Sequence, residues 1–363
     1  MNKVLISEAI IEEHKYNAGS KARADIETVF KSCGYKVFSP TMQNVQRKNK
    51  ALLNKFLLHY DLYKQWIVQL DQIENNSIVV FQFPVRPHTL LFSKVLKHLK
   101  KKGCFVVSII HDLESLRLAN QKDNTTTHSK RLIMEEKLTL PKFDLIIAHN
   151  NRMKLFLVNS LNVCESKVET IDIFDYLLTD TIPQNERKDN GDYSIIIAGN
   201  LTKEKAGYIY RLPTNLHFEL YGSNYQTAGN QMIHYNGAFL PEDLPNVMNG
   251  DFGLVWDGPE IDTCAGTYGD YLRYNNPHKT SLYLACGIPV IVWESAAMAS
   301  FIKKNKCGIS VKSLEDISRK IESLSSEDYT LLKANSIRIG EKLRQGLQTK
   351  RLVNIIKMKG EAK

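Results

Sequence analysis

Short apolar runs recur along the chain, each closed by a polar turn and followed by apolar residues at helical spacing. Lys3–Ala9 reads as a first strand, followed by a polar loop. Ala22, Ile26, Val29, Phe30 and Cys33 then share one helical face, which Gly34 ends. Tyr35–Ser39 is a second strand, and residues 51–70 form a long amphipathic helix. The series continues with strand Ser77–Phe83, helix Thr89–Lys101, strand Cys104–Ile110, a helix near Lys130–Leu138, strand Phe143–Ala148 and the strand-like run Val168–Phe174. Thr179–Asp192 is polar, contains Pro183 and Gly191, and reads as a linker.

Beyond it the alternation resumes. Tyr193–Ala198, Leu216–Tyr221, Met232–Tyr235, Phe252–Trp256, Pro289–Trp293 and Gly308–Val311 are strands, with helices near Pro241–Met248, Pro277–Cys286 and Met298–Lys304. From Leu314 the chain is helical, and its last periodic segment carries Leu343, Leu347, Leu352, Ile355 and Ile356. Strands that alternate with helices through short connections predict doubly wound parallel sheets. The expected architecture is α/β: Rossmann-like domains over 1–178 and 193–340, a linker at 179–192, and a helical tail over 341–363. The tail either serves an oligomer or packs back on the first domain. The cleft that the two domains face is the default site.

Composition narrows this little. A chain of 363 residues with 43% hydrophobic and 24% charged residues is ordinary globular material for two domains. No apolar run reaches 18 residues, and the start, Met1-Asn-Lys-Val-Leu-Ile-Ser, lacks the features of a signal peptide. Six widely spaced cysteines without a C-x-x-C pair suit a reducing cytoplasm. The net charge of +9 calls for an anionic partner. Its densest run, Lys94–Lys102, is either a solvated helix face or a peripheral contact with the inner face of a membrane. Signatures of nucleic-acid binding are absent, so no nucleic-acid partner is expected.

Ligands of open α/β sheets bind beyond the carboxyl ends of the strands, which selects a short list of residues. Asn276 reads as an N-cap with Pro277 at the first helical position and His278 and Lys279 in the first turn. A cation beside an already positive helix end makes sense if an anion, most simply a phosphate, binds there; a solvated Lys is the plain alternative. Gly199 and Asn200 let a loop approach a ligand closely, or form an ordinary turn. Tyr221-Gly222 and Trp256-Asp257-Gly258 offer aromatic faces and turn flexibility that could hold a base or sugar, or Tyr221 and Trp256 belong to the core. Asn17–Arg23 places a small-residue turn, with Gly19 and Ser20, before a helix with Lys21 and Arg23 in its first turns; it could cradle an anion, or be a plain turn beside solvated cations. His111 and Asp112 follow a buried strand and, with Glu114, are the candidates for proton transfer, Asp112 as an N-cap being the competing account. No metal-ligand spacing stands out.

The stretch Gly266–Lys279 and the following Tyr283-Leu-Ala-Cys-Gly-Ile-Pro-Val, with Asn17–Arg23 and Phe252–Gly258, resemble bacterial β-1,6-galactofuranosyltransferases. They also resemble the related glucosyltransferases that extend glycans on serine-rich adhesins. The resemblance implies a GT-B glycosyltransferase, a metal-independent hexosyltransferase without a cofactor. Its UDP-sugar donor would sit on the second domain, held by Asn276, His278 and Lys279, with Gly199, Asn200, Tyr221 and Trp256 lining the pocket. A glycan or glycoprotein acceptor would sit on the first domain, near Gly19, Ser20 and Lys21. Related enzymes suggest a homo-oligomer. Large retaining families carry a Glu-x7-Glu pattern; the matching positions here are Tyr274 and Leu282. An inverting displacement is therefore at least as plausible, with Asp112 or His111 as base. A nucleotide-sugar epimerase-like enzyme and a catalytically silent subunit of the same fold are the other readings.

Overall fold

A computed structural model describes residues 1–7, 18–41, 52–118, 126–178, 193–227 and 229–362, leaving aside the side chains of 18–20 and 52–56. Among them lie two parallel sheets of six strands. The first comprises β1 (Lys3–Ile6), β2 (Lys36–Phe38), β3 (Ile78–Phe83), β4 (Phe105–Ile110), β5 (Leu145–Ala148) and β6 (Val168–Thr170), in the order β2-β1-β3-β4-β5-β6. The second comprises β7 (Ser194–Ala198), β8 (His217–Tyr221), β9 (Ile233–Tyr235), β10 (Phe252–Val255), β11 (Val290–Trp293) and β12 (Gly308–Val311), in the order β12-β11-β10-β7-β8-β9.

The inner strands β3, β4, β5, β10 and β11 are buried along their whole length because both faces of each sheet are covered. In β7, Ile195 and Ile197 enter one core with Trp256 and Trp293, whereas Ile196 and Ala198 enter another with Tyr283 and Val292. The apolar face of helix Phe92–Lys101 is likewise buried through Phe92, Val95, Leu96 and Leu99. Several cations of the basic run at its end are engaged locally: Lys100 pairs with Asp144 at 2.9 Å, and Lys102 donates to the Asp71 carbonyl at 2.8 Å. Among the described residues no helix is long and apolar enough to cross a membrane.

The chain forms two compact units. The first holds Ile26–Ile171 and Thr349–Lys363 with the N-terminal strand; the second holds Asp172–Gln348 with the start of helix Ala18–Ser32 up to Asp25. The boundary therefore precedes the 179–192 stretch, which lies outside the described residues. Segment 172–178 goes with the second unit because its backbone is bonded there. The Phe174 carbonyl accepts from Ser281 Oγ at 2.7 Å, and the Tyr176 N–H donates to the Leu343 carbonyl at 3.3 Å. The strand-like run from Val168 accordingly ends at Thr170. The terminal helix Leu347–Glu361 ends in the first unit, where Lys359 meets Glu169 at 2.7 Å and Arg351 donates to the Thr170 carbonyl at 2.8 Å.

Candidate functional site

The second sheet is parallel throughout, but β7, β8 and β9 follow one another toward one edge and β10, β11 and β12 toward the other, so the strand order reverses between β7 and β10. Such a reversal opens a crevice at the carboxyl ends of the strands. Gly199 follows β7, Asp257 lies just beyond β10, and the helix His278–Ala285 leads from β10 to β11. Gly199 has a φ of +127° and donates its N–H to the Tyr221 carbonyl at 2.8 Å. A Cβ on Gly199 would lie 3.2 Å from Lys279 Cε. Gly222, at a φ of +155°, is packed so closely that a Cβ there would overlap the Gly199 carbonyl oxygen. Two bare loops and one ammonium thus converge.

Lys279 Nζ lies 3.0 Å from Asp257 Oδ1, with the two side chains only 12% and 11% exposed. Burial lowers the Lys279 pKa below its usual value, and the Asp257 carboxylate works against that fall. The helix begins one residue later than its sequence suggests. Pro277 is the capping position, without a side-chain cap, and Asn276 is buried with its amide donating to the Asp172 carbonyl at 3.0 Å. Asn276 therefore anchors the helix approach to segment 172–178 and does not line the pocket.

His278 Nε2 lies 3.3 Å from the Asp175 carbonyl. A carbonyl only accepts, so Nε2 carries the proton and Nδ1 is the acceptor of the neutral ring. That buried Nδ1 has no partner among the described residues. Tyr176 lies against the ring, with centroids 5.0 Å apart. Burial, above all, pushes the His278 pKa down to about 4, so the ring is neutral at physiological pH.

Together Gly199, Gly222, Tyr176, Phe239, His278 and Lys279 line a pocket of about 580 Å³, open solvent at its mouth included. Tyr221 lines it too, while its hydroxyl donates to the Val247 carbonyl at 3.3 Å and accepts the Asn249 N–H at 3.1 Å. Two expected members stand elsewhere. Trp256 is fully buried in the core, and its indole N–H donates to the Glu260 carbonyl at 2.9 Å, so no ligand face remains. Asn200 is exposed and closes a turn, its Oδ1 accepting from Thr202 N at 3.2 Å and Asn224 Nδ2 at 3.0 Å.

Lys21 is also withdrawn from any ligand role. It is buried, paired with Asp25, bonded to the Leu177 carbonyl at 2.9 Å and held 4.9 Å from the Tyr176 ring centroid. Burial raises the Asp25 pKa, and Lys21 opposes the rise. Gly19 and Ser20 already lie within the helix that starts at Ala18; Asn17 falls outside the described residues.

In the first unit His111 and Asp112 follow β4. Asp112 does not cap the short helix Glu114–Arg117; it pairs with Arg117 at 2.9 Å and is 43% exposed. The helix start is instead served from outside, by the buried Glu136 carboxylate, which accepts the Ser115 N–H at 3.0 Å. Gln82 Nε2 donates to Glu27 at 3.2 Å, which turns its oxygen toward His111 Nε2 at 2.8 Å. The proton of neutral His111 is therefore on Nε2. Among the described residues no group of three or more His, Cys, Asp or Glu could hold a metal ion.

A model of the glucosyltransferase 3-like N-terminal domain matches residues 3–167, and one of the C-terminal domain matches 195–356. The chain belongs to the glucosyltransferase 3-like family. It is 34% identical over 278 residues to the beta-1,6-galactofuranosyltransferase WbbI of Escherichia coli (strain K12), covering 76% of this chain and 77% of that protein. It is 25% identical over 286 residues to glucosyltransferase 3 of Streptococcus gordonii, covering 74% and 78%. The fold is similar to that of WaaG, a glycosyltransferase involved in lipopolysaccharide biosynthesis, with a TM-score of 0.61 at 12% identity over 97% of this chain and 99% of that one. Sucrose-phosphate synthase from Thermosynechococcus elongatus gives a TM-score of 0.64 at 10% identity over the whole of both chains. Two Rossmann-like units of the GT-B type and family membership make this chain a glycosyltransferase, acting between a nucleotide-sugar donor and a glycan acceptor.

Sequence reasoning reached Gly222 and Asp257 only as turn neighbours of Tyr221 and Trp256, and it missed Tyr176 and Phe239. Asp257 left a signal: an acid directly after a buried apolar strand, at the point where the strand order turns. Tyr176 and Phe239 left none, because loops remote in sequence bring them to the pocket.

Proposed function

We propose that the second unit binds a UDP-sugar in the pocket over Gly199, Gly222 and Lys279, and that the enzyme moves a glucosyl or galactofuranosyl group to a saccharide or glycoprotein in cell-surface glycan synthesis. One observation carries the reading: two glycine loops leave backbone exposed beside a buried ammonium at the start of the helix His278–Ala285. A diphosphate there meets helix N–H groups and Lys279. No divalent ion is needed for that neutralisation, which favours a metal-independent reaction. Leu282 stands in the pocket wall where retaining families carry a carboxylate, which favours a single displacement. In it the acceptor oxygen bonds to the anomeric carbon as the bond to the diphosphate breaks, the acceptor's proton passing to Asp112 or His111 as base, with Lys279 and the helix end taking the charge that develops on the diphosphate. The setting is the cytoplasmic side of the membrane, and a homo-oligomer is the proposed state.

Thermal-shift measurements with UDP, GDP and individual UDP-sugars test the donor class. Stabilisation by UDP and by UDP-glucose or UDP-galactofuranose is expected; stabilisation by GDP alone contradicts the reading.

A further inference from the structure

Outside the donor pocket the second unit carries three clustered tyrosines that glycosyl transfer, as described, does not use. Tyr210 lies in the connection after β7, Tyr225 in the loop after β8, and Tyr235 at the end of β9. The Tyr210 and Tyr225 rings are 16° from parallel with centroids 6.4 Å apart; those of Tyr225 and Tyr235 are 4.9 Å apart at 41°. Tyr235 is 42% exposed, while Tyr225 is partly buried against the core.

The outer rings are held in place. The Tyr235 hydroxyl donates to the Gly222 carbonyl at 2.8 Å, and the Tyr210 hydroxyl accepts the Gln226 N–H at 3.3 Å. Lys203 Nζ sits 5.2 Å from the centroid of Tyr210. Rings fixed in advance offer contact area with little further loss of conformational freedom. Beside them runs a groove whose described lining, Tyr225, Thr227, Gly229, Asn230, Gln231, Ile233 and Tyr235, includes no charged side chain. Asn230 spends its amide on local backbone, accepting from Met232 N at 2.9 Å and donating to the Leu212 carbonyl at 3.4 Å, whereas Gln231 is exposed.

An uncharged wall argues against a phosphate or nucleic acid. Aromatic faces rimmed by amide and hydroxyl groups match a sugar ring, whose C–H face is apolar and whose edge bears hydroxyls. The geometry points to an oligosaccharide-binding subsite on the Tyr225–Tyr235 ledge, separate from the donor pocket. It goes beyond the donor assignment, and only the UDP arm of its test rests on that assignment. Continuity runs through Gly222, whose carbonyl holds Tyr235 and whose backbone lines the donor pocket. The ledge thus retains a stretch of glycan while the pocket holds the nucleotide.

The test is saturation-transfer NMR and titration of the full chain, saturated with UDP, against cellohexaose, maltohexaose and chitohexaose. At least one hexasaccharide is expected to bind with UDP present. Tyr225→Ala should weaken that binding about tenfold or more, Tyr225→Phe should retain it, and both should bind UDP as wild type does. Should Tyr225→Ala fold poorly, Tyr235→Ser gives the same reading of sugar binding at a more exposed ring, with UDP affinity left out of that comparison because Tyr235 bonds the Gly222 carbonyl. The proposal is overturned if none of the three sugars binds, if UDP displaces them, or if neither tyrosine variant weakens their binding. It is equally overturned if an unglycosylated serine-rich peptide occupies the ledge and the sugars do not.

Discussion

Lys279 and Asp257 form a largely buried ion pair at the point where the strand order of the second sheet reverses. A lysine in a helical first turn, next to an already positive helix end, calls for an anion, and part of that call is answered within the protein. Removing the ammonium alone leaves a buried carboxylate without its cation. Lys279→Met should therefore destabilise the fold by about 2–3 kcal/mol, somewhat less than for a fully buried pair. This departs from what the sequence suggests, an anion-binding or solvated lysine whose loss would leave stability almost unchanged. Urea unfolding of the single variant and of Lys279→Met/Asp257→Leu checks it: the double variant should recover most of the loss.

Gly222→Ala tests the close approach of the two loops. A Cβ there overlaps the Gly199 carbonyl, and a φ of +155° suits alanine poorly. The second unit should lose stability and UDP affinity together. Gly199→Ala, whose Cβ meets the bendable Lys279 side chain, should lower UDP affinity with a smaller change in melting temperature.

Trp256→Phe separates core from pocket. The indole is fully buried and bonded to the Glu260 carbonyl, so the substitution should cost about 1–3 kcal/mol of stability through an orphaned carbonyl and lost volume. UDP affinity measured by calorimetry should stay within about twofold of wild type. A large affinity loss with stability intact would place the ring at the ligand.

The doubly wound sheets were legible because each strand is a short apolar run between capped or amphipathic helices, and those patterns are local. What the sequence obscured is long-range. Asn276 has an N-cap's composition and place, but its amide is taken by Asp172, over a hundred residues earlier. Lys21 stands beside small residues like an anion ligand, yet Asp25 and the Leu177 carbonyl claim it. Trp256 at a strand end reads equally as platform or core, and burial decides. In each case the side chain's chemistry was visible and its partner was not.

His278 should leave a pH signature. Its pKa falls from the usual 6.5 to about 4 on folding, so between those values the unfolded chain binds the extra proton. Stability from this group is present above about pH 6.5 and is lost as the pH falls toward 4. Buried His149, also near 4, acts with the same sign, whereas Glu136, raised to about 7, loses its contribution as the pH rises through that value. The melting temperature of His278→Gln should consequently fall less than that of wild type between pH 6.5 and 4.5. Equal slopes would mean that the ring is not held neutral.

Asp112→Asn probes the base. The carboxylate is 43% exposed and paired only at the surface with Arg117, so stability and UDP binding should hardly change. Transfer to an acceptor should slow by about 100-fold or more if this group takes the acceptor proton. Unaffected turnover transfers the role to His111, whose tautomer Gln82 fixes, and His111→Gln then carries the same expectation.

The central claim is that Lys279 and the helix end beside it hold the diphosphate of the donor. Calorimetric titration of UDP into wild type and into Lys279→Met/Asp257→Leu, which keeps the fold without a buried unpaired charge, tests it most directly. Wild type should bind UDP, and the double variant should bind it at least about tenfold more weakly. Equal affinity in the two proteins would contradict the assignment.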